Sequence, residues 1–346
     1  MQTCLHIIDG FESLYPAELT AMDKRYDMII IGAGPIGMTV GIEATKAGLD
    51  YLIIEKGMLV NTIFRFPTNM TFFSTSKLLE IGDVPFIAHG DKPTRREALE
   101  YFRRVNEQWK LNIRYYETVG QVTGSDGDFT VHTDKGKFRT RKVVVATGFY
   151  DRPHLMDVPG EDLPKVKHYF DEAHPYVDQR VAVIGAANSA CDVALELFHK
   201  GSEVTMVVRE EEISERVKYW IRPNIINRIA EGSITAYFAS TVEEIRPQEI
   251  VIKTPEGQKV LENDFVLAMT GYEPDFDLLA RIGIEWETDG EQMLKYIPDT
   301  HESTIPGVYV AGVVCGGMKT NKFFIENARD HADKIIGSIR AGLLTP

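Results

Sequence analysis

The stretch DMIIIGAGPIG, residues 27–37, joins a β-branched run to three glycines spaced as G-x-G-x-x-G. In such a unit Gly32 permits the tight turn after the strand, Gly34 lets a pyrophosphate approach the backbone, and Gly37 lets the helix pack closely on the strand. The phosphates then lie at the partially positive N-terminus of that helix. Glu55 ends the next predicted strand, where a carboxylate can accept a hydrogen bond from an adenosine ribose hydroxyl. The alternative is a tight turn followed by an incidental acidic residue.

The same pattern returns in the second half of the chain, as RVAVIGAANSA at residues 180–190. Ala187 and Ala190 occupy the second and third glycine positions. Alanine at the third position is within the dinucleotide-binding pattern. Alanine at the second position keeps a pyrophosphate slightly further from the backbone, as expected for a nucleotide that binds and leaves. The repeat favours two dinucleotide-binding units over two incidental turns.

The second unit differs from the first at the acidic position. Arg209 lies there, and a guanidinium can pair with a 2′-phosphate, which favours NADPH over NADH. Arg216 and Lys218 follow closely and can complete the phosphate pocket. The residues Glu210–Glu212 argue against a strongly basic pocket, and Arg209 as a solvated strand end is the alternative.

Each half closes in the same way, with a buried-strand pattern that ends at Thr-Gly, in residues 143–148 and 267–271. Turn-rich alternating segments, residues 113–140 and 235–262, precede these closing strands and predict β-meanders. The expected fold is therefore α/β, with two Rossmann-like dinucleotide-binding domains that each carry a β-meander. A final strand and helix are expected to return to the first half, because a lone βα tail has no core of its own.

Two dinucleotide domains in one chain predict one tightly held nucleotide, FAD in the first domain, and one exchanging nucleotide, NADPH in the second. The predicted boundaries are an N-terminal extension at 1–24, the first part of the FAD-binding domain at 25–152, the NADPH-binding domain at 153–298 and the second part of the FAD-binding domain at 299–346. The extension is either an artefact of an upstream start or a short surface segment.

Composition excludes several classes of function. The chain of 346 residues has a formal net charge of −13, so nucleic acid is not an expected partner. No apolar run is long enough to span a membrane, and the N-terminus lacks the features of a secretory signal, so we expect a cytoplasmic protein. The three cysteines, Cys4, Cys191 and Cys315, include no C-x-x-C pair, and the nine histidines show no metal-ligand spacing. No metal site is predicted.

Several further segments are more specific than either nucleotide loop: NMTFFSTS (69–76), LEIGDV (79–84), ATGFYD (146–151), VPGEDLPKV (158–166), NSA (188–190) and FIEN (324–327). With these segments the chain resembles the bacillithiol disulfide reductase family, which is a group of thioredoxin-reductase-like flavoproteins. The resemblance runs from about Arg25 to Ile339 and therefore covers nearly the whole chain. It implies FAD bound by the terminal parts, NADPH bound by the middle part, and reduction of a low-molecular-weight disulfide.

The chain departs from related flavoproteins at three positions. Reductases with a catalytic dithiol carry C-x-x-C in the NADPH domain, where this chain has Cys191 alone. Gly312-Val313 replaces the usual Gly-Asp of the last FAD motif, a change that the family shares. Ile36 lies where the family usually has a cysteine, and isoleucine cannot form a mixed disulfide. The catalytic residue is therefore unknown; Cys315 is a weak candidate, and a buried apolar cysteine is the alternative.

The resemblance and the two loops together imply the cofactor-binding residues. Those expected to bind FAD are Gly32, Gly34, Pro35, Ile36, Gly37, Glu55, Lys56, Asn61, Thr62, Val122, Ala146, Thr147, Gly148, Gly312, Val313 and Lys319. Those expected to bind NADPH are Gly185, Ala187, Asn188, Ser189, Arg209, Arg216, Lys218, Thr270 and Gly271.

The expected activity is that of an NADPH-dependent FAD oxidoreductase in redox homeostasis. Hydride would pass from NADPH to FAD and electrons then to bacillithiol disulfide or a related small-molecule disulfide. Three alternatives remain at this point: a ferredoxin or flavodoxin–NADP reductase, a flavin monooxygenase, and a flavin-based redox sensor without turnover. We expect no nucleic-acid or membrane partner, and we expect a homo-oligomer.

Overall fold

The computed structural model describes residues 24–344, which form two α/β units. Residues 1–23, and with them most of the predicted N-terminal extension, lie outside the described residues. The first unit begins with β1 (Arg25–Ile31), α1 (Pro35–Lys46), β2 (Tyr51–Ile54), α2 (Asn61–Phe64), α3 (Arg95–Trp109), β3 (Ile113–Arg114), β4 (Val119–Ser125), β5 (Asp128–Thr133) and β6 (Lys137–Val145).

The chain then crosses to the second unit and returns. The crossing strand is β7 (Arg152–Pro153). The second unit contains β8 (Val166–Lys167), β9 (Arg180–Ile184), α4 (Asn188–His199), β10 (Glu203–Val207), α5 (Arg222–Ala230), β11 (Thr235–Tyr237), β12 (Thr241–Ile245), β13 (Glu249–Thr254), β14 (Gly257–Glu262) and β15 (Phe265–Ala268). The returning segment contains β16 (Tyr272–Glu273), α6 (Phe276–Ile282), β17 (Val308–Val310), α7 (Ile325–Ala328) and α8 (His331–Leu344).

The first unit is built on a seven-stranded sheet in the order β3–β2–β1–β6–β5–β4, and β17 also pairs with β6. The long strand β6 belongs both to the antiparallel meander and to the parallel part of the sheet. Its first half pairs antiparallel with β5 as part of the meander, and its second half pairs in parallel with β17. The parallel strands β2, β1, β6 and β17 therefore end at the same edge of the sheet, where ligands bind in folds of this class.

The second unit has a five-stranded parallel sheet in the order β11–β10–β9–β15–β8 and a separate three-stranded antiparallel sheet, β12–β13–β14. The prediction that its meander begins at residue 235 is wrong, and so is the prediction that the first meander begins at residue 113, because β3 pairs in parallel with β2. Strand β11 pairs in parallel with β10, and the meander begins only at Thr241. An edge strand of a parallel sheet and a meander strand carry the same short alternating pattern, so periodicity does not separate them.

The central strand of the first sheet is covered on both faces. Met28 and Ile30 of β1 pack on the side of α1, α3 and α8, whereas Ile29 and Ile31 pack on the side of the meander. All four side chains are almost fully buried. A strand that buries both faces reads as a continuous apolar run, which explains the sequence of β1. Each such side chain contributes roughly 1.5–3 kcal/mol of burial free energy.

The returning segment packs on the first unit earlier than expected. Leu278 and Ile282 of α6 lie in the same core as Val143 of β6. The strands β7 and β16 form a two-stranded antiparallel ribbon, and the Arg152 guanidinium lies 2.9 Å from the Asp275 carboxylate just beyond it. We therefore propose that the chain returns to the first unit near residues 272–273 and not near residue 298.

The α/β prediction with two Rossmann-like units is confirmed. Within residues 24–344, no helix is both long enough and apolar enough to cross a membrane.

Candidate functional site

The three glycines of the first loop meet different surroundings. Gly32 has φ +107°, and a Cβ there would lie 2.6 Å from the carbonyl oxygen of Ala146. A Cβ at Gly37 would overlap the carbonyl oxygen of Gly32. A Cβ at Gly34 would have no heavy atom within 4 Å. The first and third glycines are thus required by the fold, whereas Gly34 borders open space at the N-terminus of α1, where a phosphate group can approach.

Glu55 ties the loop to the end of β2. Its two carboxylate oxygens accept hydrogen bonds from the backbone N–H of Ala33, at 2.7 Å, and of Gly57, at 2.8 Å. Burial raises the pKa of Glu55, and these two N–H donors oppose that rise. The carboxylate therefore holds the loop in shape and also borders the cavity beside it.

This cavity lies at the carboxyl ends of the parallel strands. Two of its lining residues, Thr147 and Asp151, carry buried oxygen atoms, Oγ1 and Oδ1, that find no hydrogen-bond partner among residues 24–344. Buried polar atoms are nearly always paired, so this cavity is built for a polar ligand. The open space at Gly34 and these two oxygens fit a dinucleotide such as FAD. The other lining residues are Ile31, Gly32, Ile54, Glu55, Lys56, Glu117, Thr118, Val119, Gly148, Phe149, Glu273, Asp275 and Leu278.

The C-terminal motif meets the first loop directly. A Cβ at Gly312, which has φ +82°, would lie 3.2 Å from the side chain of Ile36. A Cβ at Gly148 would lie 3.8 Å from the side chain of Val313. The predicted FAD residues near the ends of β1, β6 and β17 are thus brought together. Pro35 begins α1 within this group, and Ala146 packs behind the loop.

Four other predicted FAD residues lie around or away from the cavity. Lys56 lines it, and its ammonium is 3.0 Å from the Asp151 carboxylate. Asn61 and Thr62 begin the short helix α2, and Asn61 is buried. Lys319 forms an ion pair with Glu291 at 2.7 Å.

The side chains of Val122 and Val119 are buried in the same core of the first unit, and of the two only Val119 also lines the cavity. A β-bulge between Val119 and Gln121 shifts the register of β4, so valines three residues apart are both buried. Strict alternation along a strand would place residues 119 and 122 on opposite faces, so it does not predict that both are buried. Asp151 and Phe149 were also missed, although they directly follow the predicted Thr-Gly strand end.

The second loop repeats the geometry of the first with small changes. A Cβ at Gly185, which has φ +115°, would lie 2.7 Å from the carbonyl oxygen of Met269. Helix α4 begins at Asn188, whose Oδ1 accepts a hydrogen bond from the backbone N–H of Lys218 at 2.9 Å. A large cavity opens beside this loop, and six of the predicted NADPH residues line it: Gly185, Ala187, Asn188, Arg209, Arg216 and Thr270.

Three predicted NADPH residues do not line that cavity. Ser189 lies in the first turn of α4, and Gly271 follows Thr270 at the end of β15. The Lys218 ammonium is 3.6 Å from the Asp192 carboxylate. Lining residues that the sequence reasoning missed are His154, Leu155, Met156, Ile184, Ala186, Val207, Glu210, Glu212, Ser214, Val217, Ser240, Thr241, Val242 and Met269.

The charge of the second cavity is mixed. The Arg209 side chain is 81% exposed and lies 3.2 Å from the Glu210 carboxylate. Arg216 and Glu212 also border the cavity. Because an exposed ion pair such as Arg209–Glu210 contributes little free energy, the guanidinium is free to turn toward a phosphate group.

The cysteines of the described chain are buried and free. Burial raises the pKa of the Cys191 thiol to about 12 and raises that of the Cys315 thiol as well. A reactive cysteine has a lowered pKa and solvent access, so both thiols have the properties of structural residues. Cys4 lies outside the described residues.

Proteins of similar sequence and similar structure agree with a two-nucleotide site of this kind. A family described as pyridine nucleotide-disulphide oxidoreductase matches residues 29–312. Bacilliredoxin reductase Bdr of Bacillus subtilis (strain 168) is 43% identical over 313 residues, which are 90% of this chain and 96% of that protein. The structure of bacillithiol disulfide reductase Bdr (YpdA) from Staphylococcus aureus is 40% identical with a TM-score of 0.89, and the match covers 92% of this chain and 99% of that one.

A more distant structure shows how widely the fold is shared. The thioredoxin reductase of T. acidophilum has a TM-score of 0.72 at 18% identity, covering 93% of this chain and 100% of that one. The chain therefore belongs to the bacillithiol disulfide reductase family of pyridine nucleotide-disulphide oxidoreductases, and it is a flavin-dependent disulfide oxidoreductase that uses FAD and a pyridine nucleotide.

Proposed function

We propose that this protein uses NADPH to reduce bacillithiol disulfide or a related low-molecular-weight thiol disulfide. The support is that relatives at 43% and 40% identity, matched over nearly their whole lengths, are named as reductases of bacilliredoxin and of bacillithiol disulfide. Those names identify the acceptors of the relatives. For this chain the acceptor is argued from its own cysteines.

The observation that carries the proposal is that the described cysteines are buried and are not paired with each other. A reductase that relays electrons through its own dithiol needs two neighbouring thiols, but Cys191 and Cys315 are each buried and free, and the sequence has no C-x-x-C. The disulfide bond must therefore be supplied by the substrate. The chain's part is to bind the cofactors, to orient them and to exclude water.

The first loop and the cavity beside it would hold FAD. Glu55 would accept a hydrogen bond from the adenosine ribose, Gly34 would admit the pyrophosphate, and Thr147 would supply a hydroxyl to a polar group of the cofactor. The Gly312 loop would border the same cofactor, because it contacts Ile36 at the start of α1. When bound, FAD supplies hydride acceptance and two-electron delivery, which with two protons converts one disulfide into two thiols.

The second loop would hold NADPH. Helix α4 would direct its N-terminus toward the pyrophosphate, with Asn188 and Ser189 in its first turn. Arg209 and Arg216 would pair with the 2′-phosphate and so favour NADPH over NADH.

Arg209→Glu tests this assignment. A carboxylate facing the 2′-phosphate should raise the KM for NADPH by about 10-fold or more, while the KM for NADH changes much less. Steady-state kinetics with both nucleotides measure this. The matched control is Arg104→Glu, an exposed arginine on α3 in the first unit, which should leave both KM values unchanged. Equal changes for NADPH and NADH in the Arg209 variant would refute the 2′-phosphate contact.

The acceptor is tested by anaerobic NADPH consumption with bacillithiol disulfide, with ferredoxin, or with no acceptor. We expect turnover that depends on the disulfide and only background rates otherwise. Flavin reduction by NADPH without disulfide turnover would refute the proposed acceptor and leave the cofactors in place. In that case disulfide turnover by Ile36→Cys would show that a cysteine in the first loop is required.

A further inference from the structure

A pair of buried histidines lies under the Gly312 loop. His301 precedes β17, and His331 begins α8. Their ring centroids are 3.9 Å apart at an interplanar angle of 34°, and the Phe323 ring lies edge-on to His331 at 5.1 Å. Cys315 is buried beside them, with its sulfur within 4.8 Å of one nitrogen of each ring. Neither histidine has a role in the proposed function, and a buried imidazole needs hydrogen-bond partners to offset its desolvation.

Each imidazole uses its Nδ1 atom to hold the backbone of this region. The His301 Nδ1 lies 3.1 Å from the carbonyl oxygen of Val310, so this nitrogen carries the proton and donates it. The backbone N–H of Gly312 donates a hydrogen bond to Nδ1 of His331 at 3.1 Å, so the proton of that ring is on Nε2. Burial, and secondly the nearby His301, lowers the pKa of His331 to about 3. The His331 ring is therefore neutral at neutral pH, and its Nδ1 remains an acceptor.

The hydrogen bond to His331 lies where the sheet stops holding the chain. The N–H of Ala311 still donates to the carbonyl oxygen of Val145 in β6, at 2.9 Å. Gly312 is the next residue, and its φ of +82° turns the chain away from the strand. The side chain of Val313 is apolar and cannot fix the turn by a hydrogen bond. The Nδ1 of His331 is thus the side-chain acceptor that fixes the first N–H of the turn.

The turn held in this way faces the candidate FAD site. A Cβ at Gly312 would lie 3.2 Å from the side chain of Ile36 in the first loop. The side chain of Val313 lies 3.8 Å from where a Cβ of Gly148 would be, and Gly148 lines the first cavity. We propose that His331 is a positioning residue for FAD, because its Nδ1 holds the Gly312 turn in the arrangement that receives the cofactor. This inference rests on the proposed placement of FAD beside the Gly312 loop.

Loss of the acceptor should weaken FAD binding by changing how often the turn is in place. Without the hydrogen bond, the buried N–H of Gly312 has no partner, and the turn can relieve this cost by moving. FAD would then bind only the fraction of molecules in which the turn keeps its place, and the dissociation constant rises in inverse proportion to that fraction. A fraction of roughly one tenth raises the dissociation constant about 10-fold.

His331→Leu and His331→Asn separate the acceptor from the ring. Leucine has no acceptor, whereas the Oδ1 of asparagine is as many bonds from the backbone as Nδ1 and can accept from the Gly312 N–H. Both variants lose the ring contacts with His301 and Phe323, so both should unfold at a lower temperature without FAD. FAD titration followed by flavin fluorescence should give a dissociation constant at least about 10-fold higher in His331→Leu and within about threefold of wild type in His331→Asn.

Tyr101→Phe is the matched control. The Tyr101 hydroxyl accepts a hydrogen bond from the buried backbone N–H of Ile81 at 2.7 Å, in the same unit, and Tyr101 lines neither cavity. The control also leaves a buried N–H without its acceptor, so it should lose stability and keep the FAD dissociation constant. Amide hydrogen exchange in the FAD-free protein is a second readout. Exchange in residues 311–316 should be faster in His331→Leu and unchanged in Tyr101→Phe.

Equal losses of FAD affinity in the leucine and asparagine variants, or an unchanged affinity in the leucine variant, would overturn the role of His331. If His331→Leu does not fold, His331→Phe takes its place, because phenylalanine keeps a ring beside His301 and offers no acceptor.

Gly312→Ala tests the placement of FAD separately. A Cβ there meets Ile36, and a φ of +82° does not suit alanine, so the turn must shift. A loss of FAD affinity in Gly312→Ala without a loss in His331→Leu would leave the placement standing and refute the role of His331. Unchanged affinity in both variants would refute the placement itself.

Discussion

Replacement of Gly34 by valine should leave a folded protein that no longer retains FAD. The backbone at Gly34 has φ −71° and ψ 176°, which any residue adopts, and a Cβ there meets no heavy atom within 4 Å. The added methyl groups would instead occupy the space through which the pyrophosphate approaches. We expect the FAD dissociation constant to rise roughly 100-fold, which corresponds to about 2.7 kcal/mol.

FAD titration followed by flavin fluorescence measures this affinity, and thermal unfolding of the FAD-free protein measures the fold. The melting temperature should be compared without FAD, because a bound ligand stabilises the folded state by mass action. Gly37→Val is the contrasting variant. Its Cβ would overlap the carbonyl oxygen of Gly32, so both FAD binding and folding should be lost. Tight FAD binding by the Gly34 variant would show that the cofactor does not lie against this loop.

Substitution of Glu55 by glutamine should weaken both the fold and FAD binding. The carboxylate accepts hydrogen bonds from the N–H groups of Ala33 and Gly57, and an amide would turn its NH₂ group toward one of them. An unsatisfied buried donor costs about 1–3 kcal/mol, which should appear as a lower free energy of unfolding in urea. The ribose would also lose its charged acceptor, and we expect FAD affinity to fall at least about 10-fold.

Glu161 offers a matched control for this experiment. Its carboxylate also accepts two backbone hydrogen bonds, from Met156 and Asp157, each at 2.8 Å, but it lies in the connection to the second unit. Glu161→Gln should also lower the free energy of unfolding, by a smaller amount because its hydrogen bond from Asp157 is exposed, and it should leave FAD affinity unchanged. Comparable losses of FAD affinity in both variants would show that Glu55 acts through stability alone.

The features that could be predicted from the sequence are those that depend on residues within one short stretch of chain. The strand, turn and helix around Gly32 and Gly185 follow from β-branched runs and glycine spacing within about 30 residues. The position of Glu55 at a strand end follows from the same unit. The absence of a C-x-x-C pair excludes an internal dithiol relay without any structure. Of the residues chosen in this way, Gly32 and Glu55 line the first cavity, and Gly185, Ala187 and Asn188 line the second.

The sequence was less informative where a strand or helix packs on an element that is distant in the sequence. The meander prediction was wrong at β11, which pairs in parallel with β10. The Val122 side chain lies in the core, because a β-bulge leaves both Val119 and Val122 of β4 buried, and its place beside FAD stays a prediction. Helix α6 lies within the segment predicted for the second unit, yet its Leu278 belongs to the same core as Val143 of the first sheet. Periodicity shows that such segments are buried and does not show which sheet covers them, since hydrophobic burial has no direction.

The sequence by itself determined the α/β class, the two nucleotide loops and the need for a substrate that brings its own disulfide, because each depends on neighbouring residues. The tertiary structure alone decided that Thr147 and Asp151, which carry buried oxygen atoms without hydrogen-bond partners, line the same cavity, and that the His301, Cys315 and His331 side chains meet under Gly312. These three residues are separated by 14 and 16 positions and match no metal-binding spacing. They meet because β17 enters the first sheet beside β6 and the following turn and helix fold back over its end.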